Sequence, residues 1–269
     1  MTLFLSDLDG TLIDSRLTIP PDSVAGIQAA IARGDGFSVA TARTPATVGE
    51  ILSPIQGTLP AIVMNGAGIF DFSRQEYLRL QVLAPEKAHA VQQVLDQIGM
   101  GGFLYTVRGN HLDVYYENPE SLSQRMFRES RMNKPYKTFR QGKAPEEACR
   151  VFYCVIDTEE RTGQLAAALK AVAGLRVYRY RDVHMPDSWY VEIYDETASK
   201  AAGVRFLREY YHFDRVVCFG DNYNDLPLFE AADESCAVAG AVEELKRAAT
   251  HVLIETDIGA VGRAIGNWK

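Results

Sequence analysis

Twice in this chain a short apolar run ends on a cluster of carboxylates. Residues 3–6 lead into Asp7-Leu8-Asp9-Gly10-Thr11, and residues 216–219 lead into Gly220-Asp221-Asn222-Tyr223-Asn224-Asp225. Apolar runs this short read as buried strands. Strands that each hand acidic residues to their carboxyl ends bring them to one edge only when they lie parallel in one sheet, where open α/β folds bind ligands. The two runs stand near opposite ends of the sequence, so the sheet must be completed after a long excursion.

The intervening pattern agrees with that reading. Pro20, Pro21 and Asp22 suit a helix start, Val24, Ile27 and Ile31 keep helical spacing, and Gly34 closes the helix. A strand is expected at 37–40, a helix at 45–52 and a strand at 61–64 before Asn65-Gly66. Alternation resumes with a helix at 200–210, a strand at 216–219, a helix at 225–232, a strand at 236–238 and a helix at 243–248. This predicts an α/β fold, a parallel sheet covered by helices on both faces.

Between residues 83 and 185 the rhythm changes. A helix at 85–98 precedes a hairpin of 103–107 and 112–116 around Arg108-Gly109-Asn110-His111, then a helix and strand pair, a strand at 149–156, a helix at 158–173 and a strand at 176–181. Residues 83–185 are expected to be an inserted α+β domain, with 1–82 and 186–269 forming the core. A further strand at 189–194 (Trp189-Tyr190-Val191-Glu192-Ile193-Tyr194) reads as packing and leaves Glu192 unexplained.

A net charge of -7 argues against non-specific attraction to nucleic acid or to an anionic membrane. Asp7 and Asp9 interrupt the first apolar stretch before it reaches signal-peptide length, and no later segment is long enough to span a bilayer, so a cytoplasmic protein is expected. Cys149, Cys154, Cys218 and Cys236 lack disulfide or zinc spacing and are expected to be reduced and buried. A basic residue recurs every third position from Arg125 through Arg128, Arg131, Lys134, Lys137 and Arg140 to Lys143, with Pro135 ruling out one continuous helix. A solvated basic surface and a face that attracts an anionic substrate both remain open. His111 and His184 read as surface or core residues, with a ligand contact from a loop as the alternative.

Asp7 and Asp9 stand two residues apart, and such carboxylates repel unless a cation lies between them. A hard, oxygen-seeking ion such as magnesium fits a site of carboxylates, a carbonyl and water. Gly10 permits a sharp turn that exposes backbone N–H groups to an anion. Thr41 and Arg43 after the second strand, and Lys200 at a helix start, supply the hydroxyl, guanidinium and ammonium donors that phosphoryl oxygens require.

This ordered set resembles the haloacid dehalogenase superfamily, specifically the Cof-type phosphatases with a large cap inserted in a Rossmann-like core. Asp7-Leu8-Asp9-Gly10-Thr11-Leu12 is similar to the first motif, Ala40-Thr41-Ala42-Arg43 to the second, Lys200 to the third and Gly220 to Asp225 to the fourth. Ala42 stands where Gly is common, and no Gly-rich turn precedes Lys200. The resemblance implies that Asp7 attacks phosphorus, Asp9 protonates the leaving oxygen and then deprotonates water, and Thr41 and Lys200 hold the phosphoryl group. It implies Mg2+ on the Asp7 and Asp221 side chains and the Asp9 carbonyl, with Asp225 acting through water. Gly10, Ala42, Arg43, Asn65 and Asn224 would line the phosphoryl group. The expected partner is a small, soluble phosphate ester, probed by a monomer or homodimer without nucleic acid or membrane. A phosphomutase or phosphotransferase using the same nucleophile, or a phospho-acceptor regulatory protein, are the competing readings, and Asp9 as an acid/base weighs against the last.

Overall fold

A computed structural model describes residues 1–117, 121–132, 134–182 and 187–268. In chain order the elements begin with β1 (Thr2–Ser6), α1 (Pro21–Ala32), β2 (Gly36–Val39), α2 (Pro45–Leu52), β3 (Ala61–Val63), β4 (Gly68–Asp71) and β5 (Glu76–Leu80). They continue with α3 (Pro85–Gln97), β6 (Phe103–Arg108), β7 (His111–Tyr116), α4 (Leu122–Arg131), β8 (Lys137–Gln141), β9 (Cys149–Asp157), α5 (Glu159–Leu169), β10 (Leu175–Arg181) and β11 (Trp189–Asp195). The last are α6 (Lys200–Tyr211), β12 (Arg215–Gly220), α7 (Leu226–Glu230), β13 (Glu234–Ala237), α8 (Glu243–Ala248), β14 (His251–Val252) and α9 (Ala260–Asn267). Among the described residues, no helix is long and apolar enough to cross a membrane.

The chain divides into two compact units, residues 1–79 with 199–269 and residues 80–198. In the first unit a parallel sheet runs in the order β14-β13-β12-β1-β2. A single parallel bridge, Ala40 to Ile62, carries the order on to β3. β1 lies in the middle, and its Leu3, Phe4 and Leu5 are buried because helices cover both faces. Helices α1 and α9 meet at backbone distance: Gly26 lies against the Gly262 carbonyl, Gly262 against the Ser23 backbone, and Gly266 against Gly26. A side chain at any of these positions would hold the helices apart.

In the second unit a six-stranded sheet has the order β10-β11-β9-β6-β7-β8, antiparallel except where β7 and β8 run parallel. One face carries Leu104, Tyr153, Val155, Val191 and Ile193, which pack against Val91 and Leu95 of α3 and Leu165 and Leu169 of α5. Alternation places Phe103, Tyr105, Phe152, Cys154, Tyr190, Glu192 and Tyr194 on the opposite face. Strand β11 pairs with both β9 and β10, so the second crossing falls at 198/199, where the sequence had suggested 185/186, a position inside a stretch (183–186) outside the described residues. The first crossing falls at 79/80, one residue before the end of β5 at Leu80, where 82/83 was expected.

Four elements, β4, β5, β14 and α9, carried no readable signal. β4 and β5 join through a turn in which Gln75 takes a left-handed φ of 57, although no Gly or Asn marks it. The sequence of α9 contains two glycines, which lower helix propensity, and its reason for being a helix is the close seam with α1. All four cysteines are free, as expected, but Cys149 is only half-buried.

Candidate active site

Parallel pairing of β1 with β12 sets Ser6 opposite Phe219, and the Asp7 N–H donates to the Phe219 carbonyl at 2.9 Å. Asp7 and Asp221 therefore leave the sheet beside one another, although the chain between them runs through the whole second unit. Gly10 holds a φ of +81, and a Cβ there would press on the Asp221 carboxylate. Only glycine lets the first loop pass so close. Thr11 then donates its hydroxyl to Asp221 Oδ1 at 2.9 Å. This hydrogen bond had no sequence signal beyond the place of Thr11 in the acidic loop.

After β12 the chain turns through a single 3-10 turn, Tyr223–Asp225. Asp225 is fully buried and folds back, its Oδ2 accepting the Asp221 and Asn222 N–H groups at 3.0 and 3.1 Å. Gly220 makes that return possible, because a Cβ at Gly220 would meet the Asp225 side chain at 2.8 Å. Asn224 is half-buried and takes no part in these hydrogen bonds.

Lys200 opens α6, whose first turn is capped by Ser199 Oγ accepting the Ala202 N–H at 3.1 Å. The Asn65-Gly66 turn is pressed on this helix start: a Cβ on Gly66, which has a φ of +90, would overlap the Ser199 carbonyl. One turn on, Gly203 lets the helix approach the Ile62 side chain. Lys200 is fully buried and donates to Asp7 Oδ1 and to Asp225 Oδ1, each at 2.6 Å. Ser199, Gly66 and Gly203 position Lys200 without contacting it through side-chain polar groups, so sequence reasoning found the lysine and missed what places it.

Oxygens of Asp7, Asp221 and Asp225 lie within 4.8 Å of one another. Burial raises the Asp7 carboxyl well above its usual range against the pull of Lys200, and the Asp225 and Asp221 charges push it further. Burial, aided by Asp225, pushes Asp221 up to about 6, against the Thr11 hydrogen bond. For Lys200 burial acts downward, but Asp225 and Asp7 outweigh it and raise its pKa. Three carboxylates around one ammonium leave a surplus of negative charge in a low-dielectric pocket. The donors are all hard oxygens, so the cluster fits a hard divalent cation.

Asp9 stands apart from this cluster. Its side chain is half-exposed and Arg43 grips it with both fork positions, Nε to Oδ2 at 2.7 Å and Nη2 to Oδ1 at 2.6 Å. Arg43, read from sequence as a phosphoryl donor, here has a carboxylate as its partner. Thr41 follows β2 on the same edge, since the Ala40 N–H donates to Ser6 O at 2.9 Å. Thr41 is buried, and its backbone is tied to β3 and the Asn65 turn through Ile62 O and Asn65 N. Ala42, beside it, is half-buried and brings no polar side-chain group. His111 lies in the second unit with its Nε2 2.9 Å from Thr138 Oγ1, and His184 lies outside the described residues.

A family model of haloacid dehalogenase-like hydrolases matches residues 4–265. The chain is 24% identical over 257 residues to a Haemophilus influenzae protein named as a putative phosphatase, covering 92% of this chain and 90% of that one. It is 23% identical over 274 residues to the Escherichia coli pyridoxal phosphate phosphatase YbhA, covering 96% and 95%. Among solved structures, a Thermotoga maritima protein superposes with a TM-score of 0.78 at 24% identity, covering 99% of this chain and 97% of that one. A sugar phosphatase of haloacid dehalogenase subclass IIB superposes with a TM-score of 0.75 at 19% identity, covering 98% of each chain. These superpositions establish a shared fold, and with the family match over nearly the full length the chain belongs to the haloacid dehalogenase-like hydrolases.

Proposed function

We propose that this hydrolase is a phosphatase that cleaves small, soluble phosphate monoesters in the cytoplasm, with Asp7 as the nucleophile. The observation that carries the reading is the buried Lys200 ammonium shared between Asp7 and Asp225. A carboxylate buried beside a fixed cation, with two more acids next to it, is an arrangement suited to attack on a dianionic phosphoryl group and costly for any purely structural purpose.

In this scheme an Asp7 carboxylate oxygen bonds to phosphorus while the bond from phosphorus to the ester oxygen breaks. Asp9 gives its proton to the departing alkoxide and then takes one from water, whose oxygen attacks the same phosphorus and frees inorganic phosphate, returning Asp7 to its starting form. Lys200 and the Thr41 hydroxyl orient and neutralise the phosphoryl oxygens, with Gly10, Ala42, Asn65 and Asn224 around them. Mg2+, held by the Asp7 and Asp221 carboxylates and the Asp9 carbonyl with Asp225 acting through water, would supply further charge neutralisation. Because Arg43 occupies both oxygens of Asp9, that pair must open before Asp9 reaches a leaving oxygen, and an arriving phosphoryl group is the natural new partner for the guanidinium.

Sugar phosphates and related metabolite esters are the substrate class we favour. The pyridoxal phosphate phosphatase relative and the sugar phosphatase of like fold support that choice. A screen of phosphate esters with magnesium tests it: wild type should release phosphate from at least one ester, and Asp7→Asn should release none. Release by Asp7→Asn at the wild-type rate would remove Asp7 from the mechanism.

A further inference from the structure

The cations of the basic stretch 125–143 differ in their surroundings. Arg140 shares the buried Asp113 with Arg108 of β6, at 2.8 and 3.3 Å respectively, and so has a carboxylate partner. Arg131, Lys134 and Lys137 have no carboxylate within ion-pair distance among the described residues. Arg131 lies with its guanidinium 4.0 Å from the centre of the Phe127 ring and donates only to Ser130 Oγ at 2.9 Å.

Lys137 is the unusual member. It is 6% exposed, yet its ammonium makes no hydrogen bond or ion pair to any described residue, and it lies 5.7 Å from the centre of the Phe139 ring. The charged groups that act on it are Arg131 at the end of α4 and Lys134 in the following loop, both positive; Cys154 of β9 also faces it, and burial holds that thiol neutral. Burial and the two like charges together lower Lys137 to about 8. Leaving a buried ammonium unpaired beside two cations is costly, and a methionine would fill the same space without that cost. A groove of about 470 Å³ opens here, lined by His111, Lys134, Tyr136, Lys137, Thr138 and Phe139. Its size suits a small metabolite.

We propose that Lys137, Arg131 and Lys134 form an anion-binding site in the second unit that takes the carboxylate or phosphate group of a small molecule. The three cations supply the charge, the Phe139 ring lines the groove and the Phe127 ring backs the Arg131 guanidinium, both apolar surfaces that strengthen that charge, and the groove supplies the way in. The anion has two possible sources, a second acidic group on the substrate itself or a separate small acid. The first rests on the phosphatase reading above; the site does not.

The test therefore begins without turnover. In the full-length protein with metal chelated, the side-chain NMR signal of Lys137, assigned by its loss in Lys137→Met, is titrated against inorganic phosphate in the Asp7→Asn background. The expected result is a saturating shift, with the Lys137 titration midpoint moving upward by about one pH unit, equal to a tenfold preference of the anion for the charged lysine. No change at tens of millimolar phosphate, with Lys137→Met folded, would overturn the site. Kinetics then assign the source. If the anion belongs to the substrate, Lys137→Met raises KM about tenfold for esters bearing a second acidic group and leaves singly phosphorylated neutral esters unchanged. If it is a separate acid, Lys137→Met abolishes the effect of added free acid on both ester types alike. Neither pattern, in a variant that folds and turns over, would also overturn it.

Discussion

Replacing Asp221 by Asn should stabilise the metal-free protein while destroying its response to divalent cations. The Asp221 carboxyl sits at about 6 in the fold against an ordinary 3.8, so ionising it in the native state costs about 3 kcal/mol at neutral pH. The folded state holds this proton more tightly than the unfolded chain. The favourable contribution is therefore complete below pH 3.8 and is lost as pH rises through about 6. Asparagine removes the charge and keeps an oxygen that accepts the Thr11 hydroxyl. At pH 7 with chelator, Asp221→Asn should melt roughly 5–10 °C above wild type, the shift expected when about 3 kcal/mol is added to a unit of this size. At pH 4 the two should melt together. With millimolar magnesium at pH 7 the order should reverse, since wild type gains binding energy that the variant cannot. Calorimetry at two pH values with and without magnesium reads all four states. A metal-free variant no more stable than wild type at pH 7, or one that keeps the full magnesium shift, would refute the view that the fold holds Asp221 as a buried carboxylate at a cost, set by burial first and by the Asp225 charge second.

Lys200→Met should act in the opposite sense, leaving Asp7 and Asp225 buried without their shared cation at a cost of about 3–5 kcal/mol, read as a lower melting temperature in chelator together with lost ester hydrolysis. The wild-type contribution of Lys200 is complete below the ordinary lysine pKa and is lost only as pH rises through its higher folded value, so the deficit should be constant from pH 7 to 9. Gly262→Ala should cost about 1–3 kcal/mol in urea unfolding, because its methyl group meets the backbone of Ser23 across the α1–α9 seam. An unchanged midpoint would mean the seam yields freely.

The parallel sheet was legible because its strands are short, apolar and punctuated by charged loops, which is what burial on both faces demands. The acids were legible for a related reason: Asp7, Asp221 and Asp225 sit at strand ends where polarity changes abruptly. What escaped was set by close approach and not by pattern. Gly10, Gly66 and Gly220 look alike in sequence, yet each is required by a different neighbour, Asp221, Ser199 and Asp225. The pairing of Arg43 with Asp9 also had no sequence signal, since nothing in the spacing of two loops says which charges meet. The second boundary was misplaced because β11 is as apolar as a core strand, and only its pairing with β9 and β10 tells which sheet it joins.

The position of β1 also bears on the order of assembly. Its neighbours are β2, made shortly after it, and β12, which the ribosome delivers only after the whole second unit has emerged. Until then the strand that leads into Asp7 has one bare edge, and α1 waits with Gly26 uncovered for α9, later still in synthesis. A nascent chain thus carries every residue of its first motif long before Asp221, Asp225 and Lys200 exist to complete it. The acidic cluster is completed last, and a chaperone or an early sheet-edge partner has the longest opportunity to act on the strand that leads into Asp7.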